Sequence, residues 1–231
     1  MSNSLFRLAL CVACMSAVAV AQQPQQTPEQ KPEPPAAKKN ARPAGEADTA
    51  AEPFDKLTPE RMAGRCVTFE TEAGDIVIEV LSEAAPESAR NFLNLVAIGA
   101  FDTTTFSRVV KDFVVQGGNV ATRETLTNEL IRRASRKVPD EPNPVKHLRG
   151  VVSLARPAEA NAATTHFFIL LNDAPHLDGT FAAFGRVRSG MEVVDKIAAG
   201  ELEGEKPKNP VRIRRARVAQ CQPPPTDQPK K

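Results

Sequence analysis

Between residues 66 and 218, hydrophobic positions fall into eight short β-type runs and two stretches of helical period. Cys66–Glu70 and Asp75–Leu81 flank Ala73-Gly74, a hairpin turn signal. Thr105–Val109 and Phe113–Gln116 form a second pair, and Val151–Ala155, Phe167–Leu171, Phe181–Val187 and Val211–Val218 complete the set. Pro86–Ile98 opens with proline at a first-turn position and spaces Ala89, Phe92, Leu93 and Val96 on one helical face. Met191–Ala199 spaces Met191, Val194 and Ile197 likewise, with Gly200 placed to stop it. The pattern predicts a mainly β fold, a closed eight-stranded antiparallel barrel whose ends two helices cover. Asn119–His147 is polar, punctuated by proline and without clear period, and is read as a functional surface loop.

Outside this region the pattern is lost. In residues 1–21, Arg7 is the only charge, Leu8–Val20 is apolar, and Ala19-Val20-Ala21 fits the small-x-small cleavage rule. This predicts a secretory signal, because the apolar run falls short of the roughly 20 residues that span a bilayer. Lipidation at Cys14 is the alternative, though Cys11-Val12-Ala13 is a poor signal for it. Residues 22–61 carry eight of the 20 prolines and one aromatic, Phe54. Such a segment buries too little apolar surface to offset chain entropy and is predicted to be a disordered linker. The tail, 222–231, holds four more prolines. One domain, 62–221, remains.

Charge is nearly balanced, 30 Lys plus Arg against 28 Asp plus Glu, which gives no basic face for nucleic acid. Trp and Tyr are absent, so the core must rest on the 11 Phe and on Val, Leu and Ile. Signal cleavage leaves two cysteines, Cys66 and Cys221, at opposite ends of the domain. In an oxidising compartment they either bridge, closing nearly the whole domain into one loop, or stay as two free thiols.

The common catalytic sets are missing. Three histidines, His147, His166 and His176, show no metal-ligand spacing, no glycine-rich loop precedes a helix, and no GxSxG turn occurs. Neither metal nor cofactor is expected. Rotation about a prolyl peptide bond needs none of these parts. Its barrier, about 18–20 kcal/mol, comes from amide resonance. An apolar pocket for the ring and a fixed donor that weakens the resonance are enough. Arg108, in a β-type run among Phe106, Phe113 and Val114, has the required chemistry, although an arginine in a strand is by itself more often a solvated surface residue.

Several separated motifs add weight. Phe106-x-Arg108-Val109-Val110, Phe113-x-x-Gln116-Gly117-Gly118, Ser153-Leu154-Ala155-Arg156, Phe167-Phe168-Ile169 and Leu177-Asp178-Gly179 followed by Phe184-Gly185 occur in that order. Over about 66–218 the chain resembles the cyclophilins, and most of all their exported bacterial branch. The resemblance implies a cyclophilin-like barrel and peptidyl-prolyl cis/trans isomerase activity, with Arg108 as the catalytic side chain. Phe113, Val114, Phe168 and Leu177 would wall the proline pocket. Gln116 would bind substrate backbone and orient Arg108, while Ala155 and Arg156 would meet the residues before the proline. His166 and Phe181 would complete the substrate site, and both depart from the family pattern. His166 stands where Gln is usual, and Phe181 where His or Tyr is common. Ser107, Lys111-Asp112 and His176 are further departures, the last standing where some members carry the Trp that contacts cyclosporin. An altered sequence preference is expected. The partners implied are unfolded or proline-containing polypeptides met outside the cytoplasm, most readily in a periplasm, by a monomer. A proline-binding module or chaperone with little turnover is the alternative, as is an interaction protein whose functional part is the linker.

Overall fold

The computed structural model describes residues 51–222. The predicted signal, most of the linker and all but the first residue of the tail lie outside the described residues. In chain order the elements are α1 (Pro59–Met62), β1 (Arg65–Thr71), β2 (Gly74–Val80), α2 (Pro86–Ala97), β3 (Arg108–Val110), β4 (Val114–Gly117), α3 (Asn128–Ala134), β5 (Val151–Leu154), β6 (Phe167–Leu170), β7 (Ala183–Ser189), α4 (Met191–Ala198), β8 (Leu202–Glu203), β9 (Lys206–Pro207) and β10 (Ile213–Gln220).

Eight strands form one antiparallel sheet in the order β10-β1-β2-β7-β5-β6-β4-β3. Register shifts at Glu70/Thr71, Val77/Ile78 and Val152/Ser153 add local twist and curl the sheet. The predicted closure does not occur. The sheet has two ends, β3 and β10, and β8 with β9 forms a separate hairpin. The run Thr105–Val109 supplies a strand only from Arg108 onward. The N–H of Val109 donates to the carbonyl of Glu205 at 2.8 Å, so the small hairpin occupies the edge that closure would need. The residues before β3 reach β10 and its approach through a few bonds, among them Phe106 N–H to Val211 O at 3.0 Å and Thr103 N–H to Ile213 O at 2.8 Å.

The core sits inside the curl. Phe69, Phe92, Phe101, Phe167 and Phe184 are almost fully buried, with neighbouring ring centroids 4.8–6.1 Å apart. Each such ring contributes roughly 1.5–3 kcal/mol by leaving water. Phe92 arrives on α2, whose Ala89, Phe92, Leu93 and Val96 are all buried, as their helical spacing predicts.

Two regions depart from the sequence reading. Asn119–His147 contains α3, started by the Thr127 side chain, which accepts from Leu130 N–H at 3.2 Å. Residues 52–61, read as the end of the linker, are packed on the domain. Phe54 is buried, its N–H donates to Asn94 Oδ1 at 2.8 Å, and Glu52 pairs with Arg133. Arg90 ties the same segment down through the carbonyls of Phe54 and Leu57, both at 2.6 Å. A proline-rich composition hides these anchors, because each one is a single side chain matched to a distant partner.

The two cysteines are joined. Cys66 on β1 and Cys221 just beyond β10 form a disulfide with their Cα atoms 4.9 Å apart.

Candidate active site

Successive side chains of a strand point to opposite faces of its sheet. On β6, Phe167 and Ile169 therefore enter the main core, while Phe168 and Leu170 point to the other side. Register carries that second face across four strands. Arg108 on β3 lies opposite Gln116 on β4, Gln116 opposite Phe168 on β6, and Phe168 opposite Ser153 on β5. A row of Arg, Gln, Phe and Ser thus forms from residues spread over much of the chain. Close packing at the end of β4 depends on Gly117 and on Gly118 just beyond it. A Cβ on Gly117 would meet the Phe167 ring at 2.9 Å, and one on Gly118, whose φ is +84°, would meet the Thr165 carbonyl oxygen at 2.2 Å.

Arg108 is held from two sides. One Nη1–H donates to Gln116 Oε1 at 3.2 Å, and Nε donates to Glu205 Oε2 at 2.7 Å. Its side chain is 41% exposed, so the remaining donors can reach a ligand. Beside it lies a second apolar cluster, apart from the main core. Val114, Phe168 and Leu177 are buried in it, with Phe113, Ala155 and Phe181 packed alongside. Every apolar residue that the resemblance assigned to the substrate site is in this one cluster. Leu177 is delivered by a short 3₁₀ turn, Pro175–Leu177, and Phe113 lies against His176 with ring centroids 5.6 Å apart.

At the rim, Phe181 stands edge-on to Phe168 at 5.9 Å, and the Arg156 guanidinium lies 5.2 Å from the Phe181 ring centroid. Arg156 is also paired with Asp140, Nε to Oδ1 3.2 Å. Its side chain is thus committed on two sides. His166 precedes Phe168 by two residues and extends the same face. Its carbonyl accepts from Ala155 N–H at 2.9 Å. Burial pushes the His166 imidazole below its ordinary value, so the ring is neutral at pH 7.

Beneath the row is a network in which His147, outside every sequence motif, joins two motif residues, Ser153 and Asp178. Buried His147 places Nε2 3.0 Å from Ser153 Oγ and Nδ1 3.2 Å from Asp178 Oδ1. The His147 N–H also donates to Asp178 at 2.8 Å. That backbone bond, with Lys146 adding to it, holds the Asp178 carboxyl down at about 2. Burial pushes the His147 imidazole below its ordinary value, against the opposing pull of Asp178. The neutral ring keeps its proton on Nδ1, facing the carboxylate, and Nε2 accepts from the Ser153 hydroxyl. Ser153 is fully buried. The trio therefore pins β5 to the turn that carries Leu177 and Phe181, and offers no accessible nucleophile.

A pH dependence of stability follows. The folded pKa of His147 lies below the unfolded value of about 6.5, so the unfolded chain binds the proton more readily. This contribution is fully present above about pH 6.5 and is lost as pH falls below it. His166 adds a slope of the same sign. The urea midpoint is expected to drop between pH 7.5 and 5.5, and to drop less in His147→Gln. Parallel profiles for the two proteins would contradict the assignment.

Residues 66–218 match the family described as cyclophilin type peptidyl-prolyl cis-trans isomerase/CLD. Peptidyl-prolyl cis-trans isomerase cypE of Dictyostelium discoideum is 36% identical over 157 residues, covering 67% of this chain and 98% of the relative. Peptidyl-prolyl cis-trans isomerase B of Escherichia coli is 36% identical over 141 residues, covering 57% of this chain and 82% of the relative. A cyclophilin type isomerase of Cryptosporidium parvum, solved in the presence of the dipeptide ala-pro, aligns with a TM-score of 0.58 at 25% identity. That alignment covers 67% of this chain and 98% of the solved one.

The family match and these relatives agree on one class, the peptidyl-prolyl cis-trans isomerases. The chain belongs to the cyclophilin family and is a peptidyl-prolyl cis-trans isomerase. Eukaryotic and bacterial relatives match at similar identity, so the finer likeness to an exported bacterial branch rests on the motifs alone.

Proposed function

We propose that Arg108 is the catalytic donor of this isomerase and that its substrates are extended polypeptides outside the cytoplasm. The observation that carries the first part is the row itself, with Arg108 bonded to Gln116 and lying next to the Phe113, Val114, Phe168 and Leu177 cluster. The prolyl ring packs against that cluster. A guanidinium N–H above the bond favours return of the lone pair to the prolyl nitrogen, which removes the double-bond character that opposes rotation. It also binds the carbonyl once it has twisted. Both interactions are strongest midway through rotation, so they accelerate the reaction rather than only tightening binding. Gln116 holds the donor and meets substrate backbone. Ala155 and Arg156 meet the residues before the proline through main-chain groups, and His166 and Phe181 shape what is admitted there.

The disulfide between Cys66 and Cys221 supports export, because such bonds persist in oxidising compartments. Among the described residues, no helix is long and apolar enough to cross a membrane. Fractionation with mass spectrometry tests the location. An oxidised chain beginning at Gln22 is expected outside the cytosol, and a full-length reduced chain inside it would refute export. A coupled assay on an Xaa-Pro peptide tests turnover, and a rate no faster than buffer would refute it.

A further inference from the structure

Glu205 sits at the tip of the β8–β9 hairpin, 97 residues from Arg108 in sequence, and its carboxylate accepts from Arg108 Nε at 2.7 Å. We propose that Glu205 is a positioning residue for the isomerase reaction, fixing the guanidinium plane so that its free Nη donors face the bound prolyl bond. This rests on the reading of Arg108 as the catalytic donor.

An arginine side chain is highly flexible until it is anchored. Its long stem has many rotamers, and ordering it costs side-chain entropy. A donor that must meet one nitrogen in a half-rotated peptide bond has to be ordered before the substrate arrives. The Gln116 contact at Nη1, 3.2 Å, supplies one restraint and leaves the plane free to swing about it. The Glu205 contact at Nε supplies a second. Two anchors on different nitrogens define the plane, and the N–H groups left over are those of Nη2 and the second of Nη1.

The hairpin is itself anchored independently of this side chain. The Glu205 carbonyl accepts from Val109 N–H at 2.8 Å, next to Arg108 in β3, and Pro207 is buried. Removing the Glu205 carboxylate therefore leaves its backbone where it is. The carboxylate is 57% exposed, and exposed pairs add little to folding stability. A pair that matters little to folding yet holds the candidate catalytic group points to a role in orienting it.

The test is steady-state kinetics on an uncharged Xaa-Pro peptide with wild type, Glu205→Ala, Glu205→Gln, Arg108→Ala and the double variant Arg108→Ala/Glu205→Ala. Glu205→Ala is expected to lower kcat about 3- to 10-fold, with KM within twofold and an unchanged melting temperature. Glu205→Gln keeps an acceptor oxygen and should recover most of the loss. In the double variant the Glu205 effect should vanish, since no guanidinium remains to be oriented. A fully active Glu205→Ala, a faster one, or an equal loss on the Arg108→Ala background would overturn the proposal. A fully active Arg108→Ala would instead overturn the reading of Arg108 on which it rests.

Discussion

Arg108→Ala is expected to lower kcat/KM on a short Xaa-Pro peptide by roughly 10- to 150-fold while leaving peptide affinity largely intact. The magnitude follows from the interaction lost. A hydrogen bond from a charged group is worth roughly 1.5–3 kcal/mol, and each ~1.4 kcal/mol realised only in the transition state is tenfold in rate. Affinity survives because the ring-binding surface is separate. Phe113, Val114, Phe168 and Leu177 pack with one another in their own cluster. Folding should be little disturbed, since Arg108 is 41% exposed. Arg108→Lys should not rescue the rate. An ammonium keeps the charge but cannot hold Gln116 and Glu205 on separate nitrogens while presenting others. Single-turnover isomerisation, with peptide affinity measured in parallel, checks this. Wild-type turnover by Arg108→Ala would remove the arginine from the mechanism.

Replacing both cysteines with serine is expected to destabilise the domain by roughly 4–5 kcal/mol, the loop-entropy value for a closure this long, less any native strain released. The bridge joins residues 155 apart, so it restricts nearly the whole unfolded domain. Against a typical stability of about 5–15 kcal/mol this is a large share. The native structure should nonetheless persist under mild conditions. β1 and β10 are paired from Arg65 opposite Gln220 to Thr71 opposite Ile213, and Cys221 N–H donates to Gly64 O at 2.8 Å without help from sulfur. Activity at low temperature should therefore match wild type. Denaturant unfolding of oxidised wild type against the double serine variant measures the effect, and coincident midpoints would show that the bridge contributes nothing.

Much of this protein was legible without coordinates. The helical spacing in 86–98 and the β-type runs located α2 and most of the strands, because burial of one face imposes a period that the residues display locally. The motifs around Arg108, Phe113, Gln116, Phe168 and Leu177 carried a resemblance that the family match bore out. Two cysteines at the domain ends made a bridge one of two readings, and the structure chose it. The open sheet was not legible. Closure depends on what meets the free edge of β3, and the occupant is a short hairpin whose runs, Leu202–Glu203 and Lys206–Pro207, are too brief to show a period.

By itself, the sequence determined the periodic elements, the arginine with its apolar companions, and the cysteines available to each other. Apart from Gln116 on Arg108, which the resemblance implied, the tertiary structure decided which charges and polar groups meet. Glu205 on Arg108, Asp140 on Arg156, His147 between Ser153 and Asp178, and Glu52 with Phe54 on the helical side of the domain are all of this kind. Apolar burial is a property of a whole face, repeats along the chain and so leaves a pattern. An ion pair or a buried hydrogen bond joins two single residues far apart in sequence, and neither of them carries a mark of the other.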